Sequence, residues 1–254
     1  PAGGDVGFFS LASFGGTINM GMNDALSDAG TSDVVLKGNV LAMKDDGNAK
    51  NTVLFRDGAI NIGLGTRKSS WTGVVSNTGA AQAGDVNLYM KDGSVWNHEA
   101  YSPADGINMA SLPDASDTTF HMKQIYGTYD GISHVNKLSS NGGIIYQNEK
   151  DTNIEVADYS GNTTVVYKNN SSNEIVGGDL VIKKAADNSK ITLFTGSQTL
   201  GAGYKADDIL NKLANKLYYM AGDGKLTGTV KIAEGLTSSS STTGDIKFST
   251  ATSG

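Results

Sequence analysis

Three histidines, His98, His121 and His134, are the side chains of this sequence best suited to acid–base or metal chemistry near neutral pH. His98 precedes Glu99, but the second histidine of an H-E-x-x-H zinc motif is missing. His121 and His134 share no helical pattern that would bring them together. We therefore interpret the three as unrelated loop or strand positions, and a site in which three imidazoles meet around a metal is the alternative.

The sequence motifs of other common catalytic sites are also missing. The sequence contains no G-x-S-x-G nucleophile motif, no G-K-[ST] phosphate loop and no D-x-[DN]-x-[DN]-G calcium loop. It contains no cysteine, which excludes disulfides and thiol nucleophiles. Adjacent carboxylates occur at Asp45–Asp46, assigned to a turn, and at Asp207–Asp208, assigned to a helix start. Turn aspartates that converge on one face are the alternative, because two carboxylates about 5–10 Å apart suit glycoside cleavage.

The composition excludes several further classes of function. The chain carries 20 Lys and Arg against 26 Asp and Glu, so a basic nucleic-acid footprint is not expected. No apolar run approaches the ~18 residues of a transmembrane helix, so we expect no direct membrane insertion. The first residues lack the charged and apolar segments of a signal peptide, and we expect a processed protein or a fragment. We predict no cofactor.

Short runs rich in branched and aromatic residues dominate the sequence and predict β-strands. Turn signals such as Asp92-Gly93, Asn141-Gly142 and Ser160-Gly161 separate the runs, because Gly, Asn and Asp tolerate the positive φ of tight corners. The predicted strands include residues 34–36, 40–43, 52–55, 59–62, 86–90, 144–146, 153–156, 164–167, 180–182 and 229–232. The fold class that follows is all-β.

One segment predicts an amphipathic helix, from Tyr204 to Met220. Its apolar residues recur at spacings of three and four, Asp207 and Asp208 lie in the first turn, and Gly222 follows as a stop signal. Acidic residues at a helix start also complement the helix dipole. We expect this to be the single helix of the chain.

Residues 98–134 lack a strand-like period and predict a long loop excursion from the scaffold. Loops on a rigid scaffold often carry recognition. We therefore name the following as a recognition-loop hypothesis: Tyr101, His121, Tyr126 and Tyr129. Two tryptophans lie outside this segment, Trp71 and Trp96, and we expect them to pack within strands rather than to stack on sugars.

Many short strands with glycine-rich corners are compatible with a sandwich, a barrel or a β-solenoid. Strand openings of the form Gly-Asp-aliphatic recur at irregular spacing, as in Gly84-Asp85-Val86 and Gly178-Asp179-Leu180. A solenoid tolerates such irregularity because each coil contacts only its neighbours. Coils of roughly 20–25 residues would suit this chain, taken as one domain over residues 1–254.

A resemblance to a known family favours the solenoid. The stretches RKSSWTGVVSNTG (67–79) and AQAGDVNLYMKDGSVWNHE (81–99) resemble coils of the adhesin-type passenger domains of Gram-negative autotransporters. ISHVNKL (132–138) and GGIIYQNEKDTNIEVADYSGNTTVVYKN (142–169) are similar to a later block of the same passengers, and residues 177–195, 206–219 and 228–248 continue the pattern. The order of these motifs along residues 31–250 carries the resemblance.

The resemblance implies a right-handed parallel β-helix that is exported and displayed on, or shed from, the bacterial cell surface. The implied function is non-enzymatic: adhesion or self-association through a rigid scaffold, with outer-membrane anchoring in a parent protein. Implied partners are a host glycan or protein receptor, or the same molecule on a neighbouring cell, as in a biofilm. A β-helix enzyme that degrades polysaccharide is the alternative function, and a spacer without a ligand is a third.

Overall fold

The computed structural model describes residues 9–44, 57–76, 84–101, 129–169, 174–186, 189–195, 212–213, 215–219, 237–238 and 246–249. Within these residues the fold is all-β, with predominantly parallel sheets. The strands are β1 (Phe9–Ser13), β2 (Gly16–Met20), β3 (Val35–Lys37), β4 (Asn39–Ala42), β5 (Gly58–Leu64), β6 (Ser70–Thr72), β7 (Asp85–Lys91), β8 (Val95–His98), β9 (Ile132–Gln147), β10 (Asn153–Asn169), β11 (Ile175–Val176), β12 (Leu180–Ile182), β13 (Lys190–Thr195), β14 (Leu217–Tyr219), β15 (Thr237–Ser238) and β16 (Ile246–Ser249).

Each pass of the chain pairs in parallel with the pass before it. One ladder runs through β2, β5, β7, β9 and β10, and aligns Ile62 with Leu88. A second ladder runs through β3, β6, β8 and the later half of β9, and aligns Trp71 with Trp96. A third ladder joins the start of β10 to β12 and β14. Antiparallel pairs occur only at β10–β11, β13–β16 and β15–β16 among the described strands.

The number of residues between paired positions varies from one pass to the next. The step is 26 residues from Ile60 to Val86 and 21 residues from Leu138 to Tyr159. It is 50 residues from Leu88 to Leu138, a step that includes residues 102–128. Connections of different length between passes therefore explain the irregular spacing of the sequence motifs, since parallel pairing constrains the strands and not the connections.

The core lies between these ladders and is filled by alternate residues of each strand. Trp71 and Trp96 are fully buried and stack with ring centroids 4.5 Å apart. Their indole N–H groups donate to the carbonyl oxygens of Gly38 and Gly73, both at 3.0 Å. The prediction that both tryptophans pack within strands is confirmed, and each buried indole has the hydrogen-bond partner that burial requires.

Two predicted turns are instead bends inside long strands. Asn141-Gly142 lies within β9 and Ser160-Gly161 within β10. Gly142 and Gly161 have φ of 90° and 94°, so the chain changes direction while its parallel pairing continues. A Cβ on Gly161 would lie 1.8 Å from the carbonyl oxygen of Ser140. Only glycine combines this φ with this close approach of two passes.

The helix predicted over residues 204–220 is not observed as predicted. Residues 204–211, 214 and 220 lie outside the described part of the chain, and Leu217–Tyr219 form strand β14, parallel to β12. Leu217 is buried in the core opposite Leu180. An apolar run that suits one helix face also suits a short buried strand, and pairing with β12 decides between them here.

Both ends of the predicted excursion over residues 98–134 lie in strands. His98 ends β8, and β9 already begins at Ile132. Residues 102–128 lie outside the described part of the chain. No helix among the described residues has the length and apolar character needed to cross a bilayer.

Candidate functional site

Hydrogen bonds join three buried polar side chains in the core: Ser133 near the start of β9, His98 at the end of β8 and Gln147 at the end of β9. We call this group the buried hydrogen-bond chain. The Nε2 atom of His98 lies 2.7 Å from Ser133 Oγ, and its Nδ1 atom lies 2.5 Å from Gln147 Oε1. All three side chains are 0% exposed. Parallel pairing of β8 with the end of β9 places His98 directly opposite Gln147.

The partners of His98 define its protonation. Gln147 Nε2 donates to the carbonyl oxygens of Gly178 and Asp179, at 3.3 and 3.4 Å, so Oε1 faces the histidine as an acceptor. His98 therefore carries its proton on Nδ1, and Nε2 accepts from the Ser133 hydroxyl. Burial lowers the pKa of His98 to about 4, so the ring is neutral at pH 7.

The Ser133–His98–Gln147 arrangement resembles a nucleophile, a base and an orienting amide, but it has no access to substrate. Ser133 Oγ also accepts the backbone N–H of Val75 at 3.0 Å. Trp96 packs its ring against His98 in an edge-to-face contact with centroids 4.9 Å apart. Acyl transfer needs an exposed hydroxyl beside an oxyanion hole, and here the hydroxyl is sealed in the core. The geometry supports a structural role.

A second histidine cluster lies on the outer face of the same strands. His134 Nε2 lies 3.0 Å from Asp130 Oδ2, and its Nδ1 lies 3.3 Å from Glu155 Oε1. Lys183 Nζ is 2.9 Å from the same Glu155 oxygen. The hydrogen bond with Glu155 raises the pKa of His134, and in return the pKa of Glu155 falls to about 2. The cluster joins three passes of the chain by charge.

An asparagine ladder runs across the outer face of the first ladder. Asn61 Nδ2 donates to Asn19 Oδ1 at 2.8 Å, Asn87 Nδ2 to Asn61 Oδ1 at 2.9 Å, and Asn136 Nδ2 to Asn87 Oδ1 at 3.0 Å. Four successive passes are thus joined by identical amide contacts. Such stacking requires parallel passes in near-constant register, because identical groups must repeat at the strand spacing.

A cavity among the described residues lies at the corner where β9 turns into β10. We name it the corner groove; it has a volume of about 580 Å³. Three segments line it: the turn before β10, the loop before β12 and the segment before β14. The lining residues are Lys150, Asp151, Asn153, Glu174, Ile175, Val176, Gly177, Gly178, Asp179, Lys212, Asn215 and Lys216.

Asp179 is a carboxyl group of the corner groove with a raised pKa. Burial raises its pKa, the charge of Asp151 adds to this effect, and the ammonium group of Lys216 opposes it. The backbone N–H of Asp179 donates to Asn153 Oδ1 at 2.7 Å. The groove thus holds an acid of raised pKa beside a second carboxylate and a lysine, which is a common setting for functional sites.

The structure describes two of the four predicted recognition residues, Tyr101 and Tyr129. Tyr101 is half-buried, and its backbone N–H donates to Asn39 Oδ1 at 3.0 Å. Tyr129 is 3% exposed and packs with Val74, and burial raises its pKa. His121 and Tyr126 lie outside the described residues. Tyr101 lies three residues after the end of β8, and Tyr129 lies three residues before the start of β9.

Sequence reasoning missed the corner groove and the buried hydrogen-bond chain. Gln147 belongs to no sequence motif, and 31 residues separate it from Gly178, whose carbonyl oxygen it binds. Parallel pairing alone brings such positions together. The sole signal in the sequence was the Gly-Asp strand opening at Gly178-Asp179, which marks a corner without revealing its chemistry. Among the described residues no group of three metal-ligating side chains is arranged so that it could hold a metal ion.

Comparisons with known proteins leave the chain without an assigned family. No protein-family model matches it, and no curated protein and no solved structure is significantly similar to it.

Proposed function

We propose that this chain is a structural and adhesive module without enzymatic activity, wound as a right-handed parallel β-helix. In this proposal it is part of an autotransporter passenger domain displayed on the surface of a Gram-negative bacterium. One observation carries the proposal: successive passes pair in parallel and in register, and an asparagine ladder joins four of them. A scaffold of this kind stacks without a defined length limit and suits a role in reaching away from a cell.

The mechanism of adhesion would be geometric. The core side chains pack against each other in the interior. The outer faces carry polar groups and charges of both signs, as in the His134 cluster. Weak contacts repeated along a stiff surface add through effective concentration, so avidity can exceed the affinity of each contact. The partners in this proposal are a host glycan or protein, or a second copy of the chain on a neighbouring cell.

Surface display tests this function. Cells that display the chain should clump with each other or attach to host cells, and cells without it should do neither. The matched variants are Gly161→Val, which places a side chain against Ser140, and Gly16→Ala, where a Cβ meets no atom within 4 Å although φ is 84°. Adhesion should be lost with Gly161→Val and retained with Gly16→Ala. Displayed, folded chain that neither clumps nor attaches would contradict adhesion and favour a spacer.

A β-helix enzyme acting on polysaccharide is the second candidate. Asp151 and Asp179 line one groove, and the pKa of Asp179 is raised by burial, as a general acid requires. Reducing-end release from a panel of bacterial and host polysaccharides tests this candidate. Release that disappears in an Asp179→Asn variant would replace the adhesive proposal with the enzymatic one.

A further inference from the structure

The charge of the corner groove is balanced around its lining. Three lysines, at positions 150, 212 and 216, face three carboxylates, at positions 151, 174 and 179. The carboxylates would repel a polyanion and the lysines would repel a polycation, so neither kind of ligand is favoured. A ligand whose groups both donate and accept hydrogen bonds can pair with both kinds of side chain.

The groove also offers an apolar wall with close backbone access. Ile175 and Val176 are half-buried in the lining, and Gly177 and Gly178 follow them without side chains. A Cβ on Gly178 would lie 2.0 Å from the carbonyl oxygen of Thr152. The wall can therefore contact the C–H face of a ring while the charged groups contact its polar edge.

The segment that forms this wall, β11 and the two glycines after it, is held from inside the fold. Gln147 donates to the carbonyl oxygens of Gly178 and Asp179, and Asn153 accepts the N–H of Asp179. Gln147 is itself bound to the buried His98. The groove is thus formed before a ligand arrives, which lowers the ordering cost of binding.

A buried hydroxyl beside the groove lacks a partner. Tyr167 is 1% exposed, and its hydroxyl has no hydrogen-bond partner among the described residues. Its ring packs against Gly177, where a Cβ would lie 2.7 Å from Tyr167 Cδ1. Burial raises the pKa of Tyr167, and the neighbouring Asp179 adds to this effect, so the group is a neutral O–H donor. An unpaired buried donor is unfavourable, and an acceptor or an ordered water that reached this hydroxyl would relieve that cost.

From these features we propose that the corner groove binds a neutral oligosaccharide. Sugar hydroxyls donate to Asp179 and Asp151 and accept from Lys150 and Lys216, while a ring face lies on Val176 and its neighbours. The cavity volume of about 580 Å³ lies within the ~300–1,000 Å³ of small-ligand sites. This inference rests on the adhesive function proposed above and assigns it a glycan-contact site.

Amide NMR titration of the full chain tests the site with three trisaccharides that differ in charge. The probes are N-acetylated chitotriose, which is neutral, its deacetylated cationic form, and anionic trigalacturonate; maltotriose and cellotriose extend the neutral set. At least one neutral probe should shift the amides of Gly177, Gly178 and Asp179 and saturate below about 20 mM. Both charged probes should bind about tenfold more weakly or not at all.

Two variants and a control keep the test specific. Asp179→Ala should weaken neutral-probe binding about tenfold, and Lys216→Ala serves the same purpose if Asp179→Ala lowers the melting temperature. Asp158→Ala, at an exposed position of β10 away from the groove, should leave binding unchanged. Absence of neutral-probe shifts at the groove up to about 20 mM, or tighter binding of a charged probe, would overturn the inference.

The outcome separates this inference from the function on which it rests. Groove binding without adhesion by displaying cells would retain the site and reject the adhesive function. Adhesion that persists in cells displaying the chain, with no sugar bound at the groove, would reject the site alone. Cleavage of a bound trisaccharide would retain the site and favour the polysaccharide enzyme.

Discussion

Ser133 and His134 are consecutive residues of β9, and they contrast the environments of the inner and outer faces of this fold. A histidine on the inner face has a lowered pKa, and a histidine on the outer face has a raised pKa. Ser133 points inward and binds the fully buried His98, whose pKa falls to about 4 because of burial. His134 points outward between Asp130 and Glu155, and its pKa is raised by the hydrogen bond with Glu155. Strand alternation, with its period of two, separates a neutral histidine from a chargeable one within the same ladder.

The comparison explains why a serine–histidine–amide contact need not be a catalytic site. The inner polar groups are enclosed by Trp96 and neighbouring backbone and act as internal connections between passes. The outer groups and the corner groove remain in contact with solvent. Function is therefore expected at the corners and outer faces, and stability is expected from the interior.

The largest expected effect is on the inner face, from Gln147→Leu. This change leaves the His98 Nδ1–H and the Gly178 carbonyl oxygen without Gln147 in the interior, because Gln147 binds both. Each unsatisfied buried group costs about 1–3 kcal/mol, so for the two groups we expect a loss of about 2–6 kcal/mol in the free energy of unfolding. Urea unfolding measures it. The control is Asn148→Leu, just after β9. Equal losses of unfolding free energy for both variants would contradict the structural role of the buried hydrogen-bond chain.

The second effect is a fall in stability with acid, caused by His98. Its pKa is lowered from 6.5 to about 4 in the fold, so between these values the unfolded chain binds a proton that the folded chain does not. Stability should therefore decrease as the pH falls from 6.5 to 4, by roughly 3 kcal/mol.

Unfolding curves across this pH range, for the protein and for His98→Asn, isolate the contribution of His98. The difference between the two should change with pH in this window and be constant above pH 6.5. A constant difference throughout the window would show that His98 is not held neutral by burial.

The third effect is graded along the asparagine ladder. Asn61 makes two ladder contacts, with Asn19 and Asn87, whereas Asn19 makes one such contact in the ladder. Asn61→Ala should cost about 1 kcal/mol and Asn19→Ala about half of that, because exposed amide hydrogen bonds contribute modestly. Thermal unfolding of both variants compares them. If Asn19→Ala lowered the stability more than Asn61→Ala, the number of ladder contacts would not determine the loss of stability.

The smallest effect is on the outer face, from His134→Gln. The raised pKa of His134 means that its contribution to stability is present below pH 6.5 and is lost as the pH rises through its folded pKa. His134→Gln should therefore destabilise slightly at pH 5.5 and not at pH 8.5, by under about 1 kcal/mol because the cluster is partly exposed. Chemical denaturation at the two pH values measures this. Destabilisation that grows with pH would have the wrong sign.

Several strands followed directly from the sequence, because alternation marks them locally. Val86 and Leu88 point inward in β7, as their spacing predicts, and both tryptophans are buried where the motifs place them. Register is not local. Asn19, Asn61, Asn87 and Asn136 stack although the number of residues between them is irregular, since the passes are separated by different lengths of chain.

The errors arose where local and long-range preferences disagree. Asn141-Gly142 predicts a turn, but pairing on both sides keeps β9 continuous through the bend. The end of the predicted helix, Leu217–Tyr219, is a strand because β12 offers a partner. The corner groove and the contacts of His98 depend on which passes lie side by side, so no local pattern could reveal them.

One NMR experiment tests the sorting of inner and outer side chains most directly: a pH titration of the ring nitrogens of His98 and His134 in the same ¹⁵N-labelled sample. We predict that His98 stays neutral, with its proton on Nδ1, down to pH values near its pKa of about 4, and that His134 becomes charged above pH 6.5 as the pH is lowered. A His98 ring that titrates near 6.5, or one that is protonated on Nε2 at neutral pH, would contradict the enclosed chain of hydrogen bonds and the parallel register that builds it.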